Sequence, residues 1–397
     1  MDFLRDLTVI ELSHMVMGPS AGVILGDLGA NVIKVEPLGG DKTRYLRGSG
    51  AGYFAMFNRN KRSICIDLKS HDGAGVIRDL VAGADILIEN FRPGALTKAG
   101  LDYKTVAALN PGIIYQSSKG FLSGPDADRV ALDEVAQMRG GLAYMTGPPG
   151  NPLRAGSSVI DMTGGMFGVI GILAALHDRQ ATGRGRHITS ALFETTAFLV
   201  GQHMAQHAVT GTAAAPMPTR ISAWAVYDMF DTADGQIFVA VVSDAQWQAF
   251  CREFGFDEWS SDPALADNTA RVAARQRIIP RLRAVFAEMP SARLCDHLVR
   301  AGLPFSPVQR PEDLAADPHL AAGGLLDVQV PGDARRVALP NLPVEADGMR
   351  AMLRHDPPEP GQHTKSVLQA LGYDSAKIAT LYQAGAVAGP ETDGEIP

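Results

Sequence analysis

Through the first 120 residues, short apolar runs alternate with helical patterns of about ten residues, and few folds accommodate that rhythm. The run LTVIEL ends at Ser13 and His14, and GPSAGVILGDLGA follows with helical apolar spacing between its glycines. NVIKVEP then reads as a strand that stops at Pro37. The rhythm continues through strand SICIDLK, a helix opened by Ser70, strand DILIENF, a helix around YKTVAALN and strand GIIYQSSK. Strands separated by helices of this length make βαβ units, whose crossovers impose parallel pairing. The expected fold class is α/β, with a doubly wound parallel sheet in a large domain.

In such a sheet the ligand lies beyond the carboxyl ends of the strands. The residues found there are Ser13 and His14, Glu36 and Pro37, Lys69, then Asn90, Phe91 and Arg92, then Ser117, Ser118 and Lys119. Three cations and several hydrogen-bonding groups on one rim imply an anionic ligand. The first βα turn carries Gly18, Gly22, Gly26 and Gly29, a spacing that matches neither GxGxxG nor GxxxxGK[ST]. NAD and P-loop nucleotide chemistry are thereby disfavoured.

The chain of 397 residues has 36 Lys and Arg against 43 Asp and Glu, a net charge of −7. That balance argues against nucleic acid as a partner, because phosphate-backbone binding needs a surplus of cations. A hydrophobic content of 46% excludes a disordered chain. Cys65, Cys251 and Cys295 are far apart and form no CxxC, so neither a disulfide framework nor a metal site is expected. The opening MDFLRDLTVIEL has too short an apolar run, and charges too early, for a secretory signal, so the expected location is cytoplasmic. The longest apolar stretch, Met166 to Leu176, falls short of the ~20 residues a bilayer-spanning helix needs. It reads as a buried helix, and no membrane partner is expected.

The composition changes after SALFETTAFLVGQHMAQHAVTG, which reads as helical. Pro-rich AAAPMPTR looks like a linker, and AWAVYDMFDTADGQIFVAVVSDAQWQAFCREFG reads as strand, Asp234-Gly235 turn, strand and helix. The expected organisation is a large α/β domain over 1–200, a linker over 201–220, a small α+β domain over 221–307, and Pro-rich connections with a closing helix over 308–397.

One segment invites chemistry. Asp161 stands just before Gly164 and Gly165 and the most apolar helix of the chain. It can be an N-cap whose carboxylate accepts a backbone N–H, although Gly164 leaves the capping box without its partner. It can equally be a nucleophile, since a carboxylate near a helix N-terminus stays ionised and small neighbours leave room for a bulky ligand. The residues alone leave both readings open.

Four collinear motifs, LGANVIKVEP, NRNKRSICIDLK, ENFRPGALTKAGLDY and SSVIDMTGGMFGVIGILAALHDRQATGRGRHI, resemble the class III CoA-transferase family, as does the C-terminal PGQHTKSVLQALGY. That family includes formyl-CoA transferase and the carnitine and bile-acid CoA-transferases. The resemblance spans nearly the whole chain. It implies an interlocked homodimer in which each large domain takes both the N-terminal portion and the C-terminal tail. It also implies that Asp161 is the nucleophilic aspartate, forming a mixed anhydride with the acyl group and then an aspartyl-CoA thioester. CoA thioesters are then substrates, and no permanently bound cofactor is implied. The positions it assigns to CoA binding are Val16, Ile66, Asp67, Leu68, Lys69, Asn90, Phe91, Arg92, Lys98, Lys119, Gly120 and Phe121.

Departures from the pattern narrow the substrate. Lys98 stands where formyl-CoA transferases have Arg, Val16 where they have a glutamine, and Pro37 where they have a basic residue; a GGGG loop is absent. These differences point away from formate and oxalate. The acyl-CoA racemases of the superfamily use a His-Asp-Ile-Asn-Tyr motif that aligns with LDEVAQ, so Leu132 replaces the histidine base and Asp133 keeps the acid. Candidates for the acceptor carboxylate are His14, Arg47, Arg154 and Arg220, with Arg44 and Arg129 as further cations and Trp224 and Tyr227 as pocket-lining aromatics. His363 belongs to the C-terminal motif. The expected reaction moves CoA from succinyl-CoA to a small dicarboxylic acid. An acyl-CoA racemase or epimerase and a non-catalytic acyl-CoA-binding protein are the alternatives.

Overall fold

Strands β1 (Thr8–Leu12), β2 (Asn31–Glu36), β3 (Lys61–Ile66), β4 (Ile86–Glu89), β5 (Ile114–Lys119) and β6 (His187–Ala191) pair in parallel, in the order β3-β2-β1-β4-β5-β6. This is a computed structural model, and it describes residues 1–220 and 222–390. The central strands are rich in Val, Ile and Leu because both faces of the sheet are covered. Ile10 and Ile64 are fully buried, and each such side chain contributes roughly 1.5–3 kcal/mol. The α/β fold expected from the rhythm of the sequence is the fold observed.

The chain divides into two units, 1–218 with 318–397, and 219–317. Ile221, the expected start of the small domain, lies outside the described residues. Within the larger unit the covering helices are α1 (Met17–Asp27), α2 (His71–Ala82), α3 (Tyr103–Leu109), α4 (Asp133–Arg139), α5 (Val159–Thr182), α6 (Leu192–Leu199) and α7 (Gly201–Thr210). Ser70 caps α2 by accepting the Gly73 N–H, and Asp102 caps α3 through Thr105. The sequence reading missed β6, because HITSA is short and merges into the helical pattern that follows. Its pairing with β5, Ser117 opposite Thr189, overrides that local pattern. Residues 201–210, helical in the sequence pattern although counted with the linker, form a helix that Gly211 ends at φ +69°.

α5 also differs from the buried helix expected. It runs for 24 residues, and its Ile160, Gly164, Gly168 and Ile172 are buried. Met166 and Ile170 on its other flank are 46% and 60% exposed. Among the described residues it is the one helix long and apolar enough to cross a membrane, by length and composition only. Its buried flank packs on α1, β5 and β6.

The tail closes the free edge of β3. The Ser63 N–H donates to Nδ1 of His363 at 3.1 Å, the Cys65 N–H to Thr364 Oγ1, and Val387–Ala388 pairs antiparallel with the strand. An otherwise open sheet edge is thereby covered. Asn60 receives the N–H groups of Arg354 and His355, and the Arg354 guanidinium donates to the carbonyls of Gly26, Gly29 and Ala30 that close α1.

The smaller unit is a three-stranded antiparallel sheet, β7 (Val226–Asp231), β8 (Gln236–Val241) and β9 (Phe305–Pro307), packed by helices around Phe230, Trp247, Phe250 and Phe286. Asp234, in the expected turn, accepts the Ser291 N–H at 2.8 Å and so holds the start of the helix Ser291–Arg300.

Candidate active site

The strand order reverses between β1 and β4, so the loops after these strands flank the crevice where doubly wound sheets bind ligands. Asn90, just past β4, clasps the loop after β1. Its amide donates to the His14 carbonyl at 2.7 Å, and its carbonyl accepts the His14 N–H at 3.1 Å. The rings of His14 and Phe91 lie 5.9 Å apart. Met15 holds φ at +64°, a strained conformation for a residue with a side chain, and its N–H donates to Thr43 Oγ1.

A buried chain of charges fixes that turn from below. Thr43 donates to Asp41, Asp41 pairs with Lys34, Lys34 donates to the Ser13 carbonyl at 2.8 Å and pairs with Glu11, and Glu11 pairs with Lys61 at 2.6 Å. Burial works to strip the lysines of their protons. Glu11 and Asp41 outweigh it at Lys34, whose acidity is weaker than usual, whereas burial pulls Lys61 down to about 8. α1 passes close over this chain because Gly22 has no side chain; a Cβ there would collide with Oε2 of Glu11.

Asp161 occupies the first turn of α5, but it is not the cap. Ser158 is the N-cap, but its side chain accepts no helix N–H; its hydroxyl lies 3.3 Å from that of Tyr53. The free amides go instead to Asp133 of α4, whose Oδ2 accepts the Ile160 N–H at 2.8 Å and the Asp161 N–H at 3.0 Å. Asp133 is buried and is held by the Gln137 amide, one turn along α4; Gln137 Oε1 in turn accepts the Ala155 N–H. Among the described residues no group donates a hydrogen bond to the Asp161 carboxylate. Burial, then the charges of Asp133 and Glu134, push its carboxyl up to about 7. The helix-terminal hydrogen bonds expected to hold Asp161 ionised are therefore made to Asp133 instead. A second carboxylate already holds that terminus.

Met162 packs against Val16, Val23 and Phe57, so the start of α5 adjoins the loop after β1. Gly164 and Gly165 do not open room for a ligand, contrary to the sequence reading. A Cβ on Gly164 would come within 2.6 Å of Met17 Cε, and one on Gly165 would collide with Ser20, so both serve the close approach of α1 and α5.

The rim residues divide by what already engages them. Lys69, Arg92, Lys98 and Arg47 are exposed and have no ion-pair partner among the described residues. Lys119 is held by Glu89 at 2.7 Å and by the Phe91 carbonyl at 2.8 Å. Asp67 forms the turn into α2, accepting the N–H of Lys69 at 3.0 Å. Ile66 and Leu68 contribute to the core, and Val16 is fully enclosed. The Gly120 carbonyl accepts the Phe193 N–H, while Phe121 is buried against Phe193 with Arg139 over its ring.

Of the other cations, Arg44 is bound to Glu36 and the Pro358 carbonyl, Arg154 pairs with Glu134 at 3.1 Å, and Arg129 approaches Asp126. Arg220 is exposed in the smaller unit, as are the stacked rings of Trp224 and Tyr227 partly so. A cleft of about 990 Å³ lined by Phe3, Arg5, Leu326 and Met349 contains none of these residues. Sequence reasoning missed the Asp133–Gln137 pair and Thr43 as site residues. The i, i+4 spacing of Asp133 and Gln137 on a helix was the available signal.

Residues 4–364 match the family model for CoA-transferase family III. The chain belongs to that family. Its fold is similar to the crystal structure of a CaiB/BaiF family protein from Brucella suis, with 34% identity, a TM-score of 0.82, and coverage of 92% of this chain and 98% of the other. It is 33% identical to a succinate–glutarate CoA-transferase of Agrobacterium fabrum over 93% of this chain and 95% of the relative. An acetyl-CoA:oxalate CoA-transferase of Acetobacter aceti is 35% identical, over 86% and 91% respectively. As a family III CoA-transferase, this enzyme takes CoA thioesters as substrates.

Proposed function

We propose that this family III enzyme moves CoA from succinyl-CoA to a small dicarboxylic acid, with Asp161 as the nucleophile. The observation that carries the assignment is the Asp161 carboxylate itself, part-buried at a helix start and with no hydrogen-bond donor committed to it among the described residues. An oxygen of the ionised carboxylate attacks the thioester carbonyl, the C–S bond breaks, and CoA leaves as thiolate, so the negative charge passes from oxygen to sulfur. The thiolate then attacks the Asp161 carbonyl of the mixed anhydride, releasing succinate and leaving an aspartyl-CoA thioester. The acceptor carboxylate attacks that thioester in turn, and the returning thiolate completes the acceptor's CoA ester while restoring Asp161. One thioester and one carboxylate are exchanged for another of each, so the net transfer is close to isoenergetic.

The exposed cations Lys69, Arg92 and Lys98 supply charge for the CoA phosphates, and Asn90 and Phe91 shape the crevice between β1 and β4. Dicarboxylate acceptors are favoured because the named relatives include succinyl-CoA:mesaconate and succinyl-CoA–L-malate CoA-transferases as well as the glutarate enzyme. The oxalate relative returns oxalate to the acceptor panel despite the departures at Val16 and Lys98. A racemase would need a base at position 132, where the side chain is an exposed leucine.

Incubating the enzyme with succinyl-CoA and a panel of C2 to C5 dicarboxylates, with mass spectrometry of the products, tests the reaction. New acyl-CoA species are expected, and their absence across the panel defeats the proposal. Asp161→Ala is expected to abolish transfer and to remove the hydroxamate that hydroxylamine traps on the enzyme; retained turnover would eliminate the covalent route. We also assign a homodimer, on the apolar side chains of Met166, Ile170, Phe198, Met204 and Val209 left exposed on α5 to α7. Light scattering that returns a monomer mass contradicts it.

A further inference from the structure

We propose that Asp133 is a positioning residue that takes the helix-terminal amides of α5 away from Asp161, leaving the nucleophile unbonded and favouring its uncharged acylated state. The inference rests on the reading of Asp161 as nucleophile.

The geometry is specific. A helix start offers amides that would ordinarily hydrogen-bond a carboxylate in the first turn and stabilise its charge. Here Asp133 Oδ2 receives two of them, from Ile160 and from Asp161 itself. Gln137 locks Asp133 through Oδ1 and is tied to the Ala155 amide, so the carboxylate cannot swing aside. Asp133 is buried, reached by no cation among the described residues, and placed at the backbone of the residue whose side chain would react.

The consequence follows from charge balance. Before reaction two carboxylates face one helix terminus. Attack on a thioester converts the Asp161 carboxylate into a neutral anhydride while the charge departs on the thiolate, so repulsion from Asp133 is relieved on acylation. An unpaired, more basic carboxylate is also the stronger nucleophile. The charged groups facing Asp161 are Asp133 and Glu134 from α4, and Glu134 is partly neutralised by Arg154. Tyr53 contributes a hydroxyl near Ser158, and α1 presents no charged side chain to the start of α5.

Two variants test the role: Asp133→Asn keeps an oxygen for the helix amides and removes the charge, and Asp133→Ala removes both, freeing the amides for Asp161. The pH profile of kcat/KM is expected to rise with a midpoint near 7 in the parent and to move below about 6 in both variants. The fraction of enzyme carrying a hydroxylamine-sensitive acyl group in succinyl-CoA alone is expected to fall about tenfold. If Asp133 is only a structural cap, the variants lose stability but keep the midpoint and the acyl fraction, and the proposal is overturned. An Asp161→Asn enzyme that still turns over would instead remove the underlying nucleophile assignment, a separate outcome read on a separate protein.

Discussion

Replacing Asp161 with asparagine is expected to stabilise the protein, and to do so more strongly as the pH rises. Burial first, then Asp133 and Glu134, move the Asp161 carboxyl from 3.8 to about 7. Because the folded value lies above the unfolded one, the native state holds its proton more tightly. That contribution is full below about pH 4 and is lost as the pH rises through 7. At about 1.4 kcal/mol per pH unit, the ionised group costs the fold at most about 4 kcal/mol above pH 7, and about 2 kcal/mol of this is already present at pH 5.5. Asparagine keeps the shape without the charge. The stability gap between variant and parent should therefore widen by about 2 kcal/mol from pH 5.5 to 8.5. For a unit of roughly 300 residues this corresponds to about 3 °C in the difference between the two melting temperatures. Calorimetric scans of both proteins at both pH values, in matched salt, measure it directly. A melting-temperature difference that stays constant with pH would mean that Asp161 has ordinary acidity, and the electrostatic account of the site would be wrong.

The rim cations should separate by what engages them. Arg92→Ala is expected to raise KM for the acyl-CoA about tenfold, less so at high salt, with an unchanged melting temperature. Lys119→Met instead leaves buried Glu89 without its partner and should destabilise by about 2–3 kcal/mol in urea unfolding; a stable Lys119→Met protein would return Lys119 to the free cations. Gly22→Ala is expected to cost about 3–5 kcal/mol, because the new methyl displaces Glu11 from Lys34 and Lys61. Gly75→Ala, on an open face of α2, should gain about 0.5–1 kcal/mol, and equal effects at the two glycines would show that the collision is not what matters.

What the residues disclosed in advance and what they hid differ by the distance over which the cause acts. β1 to β5 were legible because each is an apolar run bounded by its own turn residues, and Ser70 announced α2 by a contact three residues long. The rim followed from strand ends alone, and Asn90 and His14 do meet there. β6 was hidden because its identity as a strand depends on pairing with β5, some seventy residues earlier in the chain. The charge on Lys119 was legible, whereas its commitment to Glu89, on the neighbouring strand, was not.

The same reasoning explains the misreading at Asp161. Local logic assigns a carboxylate in a first turn to the helix terminus and predicts that it stays ionised. That logic assumes the terminus is vacant. Asp133, 27 residues before the first amide it binds, occupies it from another helix, and only the packing of α4 against α5 brings the two together. Once one carboxylate has taken the amides, the second faces both burial and repulsion, and its chemistry reverses from a satisfied anion to a basic one. A local motif thus locates the residue that reacts, while the state in which it reacts is set by a side chain that no local pattern connects to it.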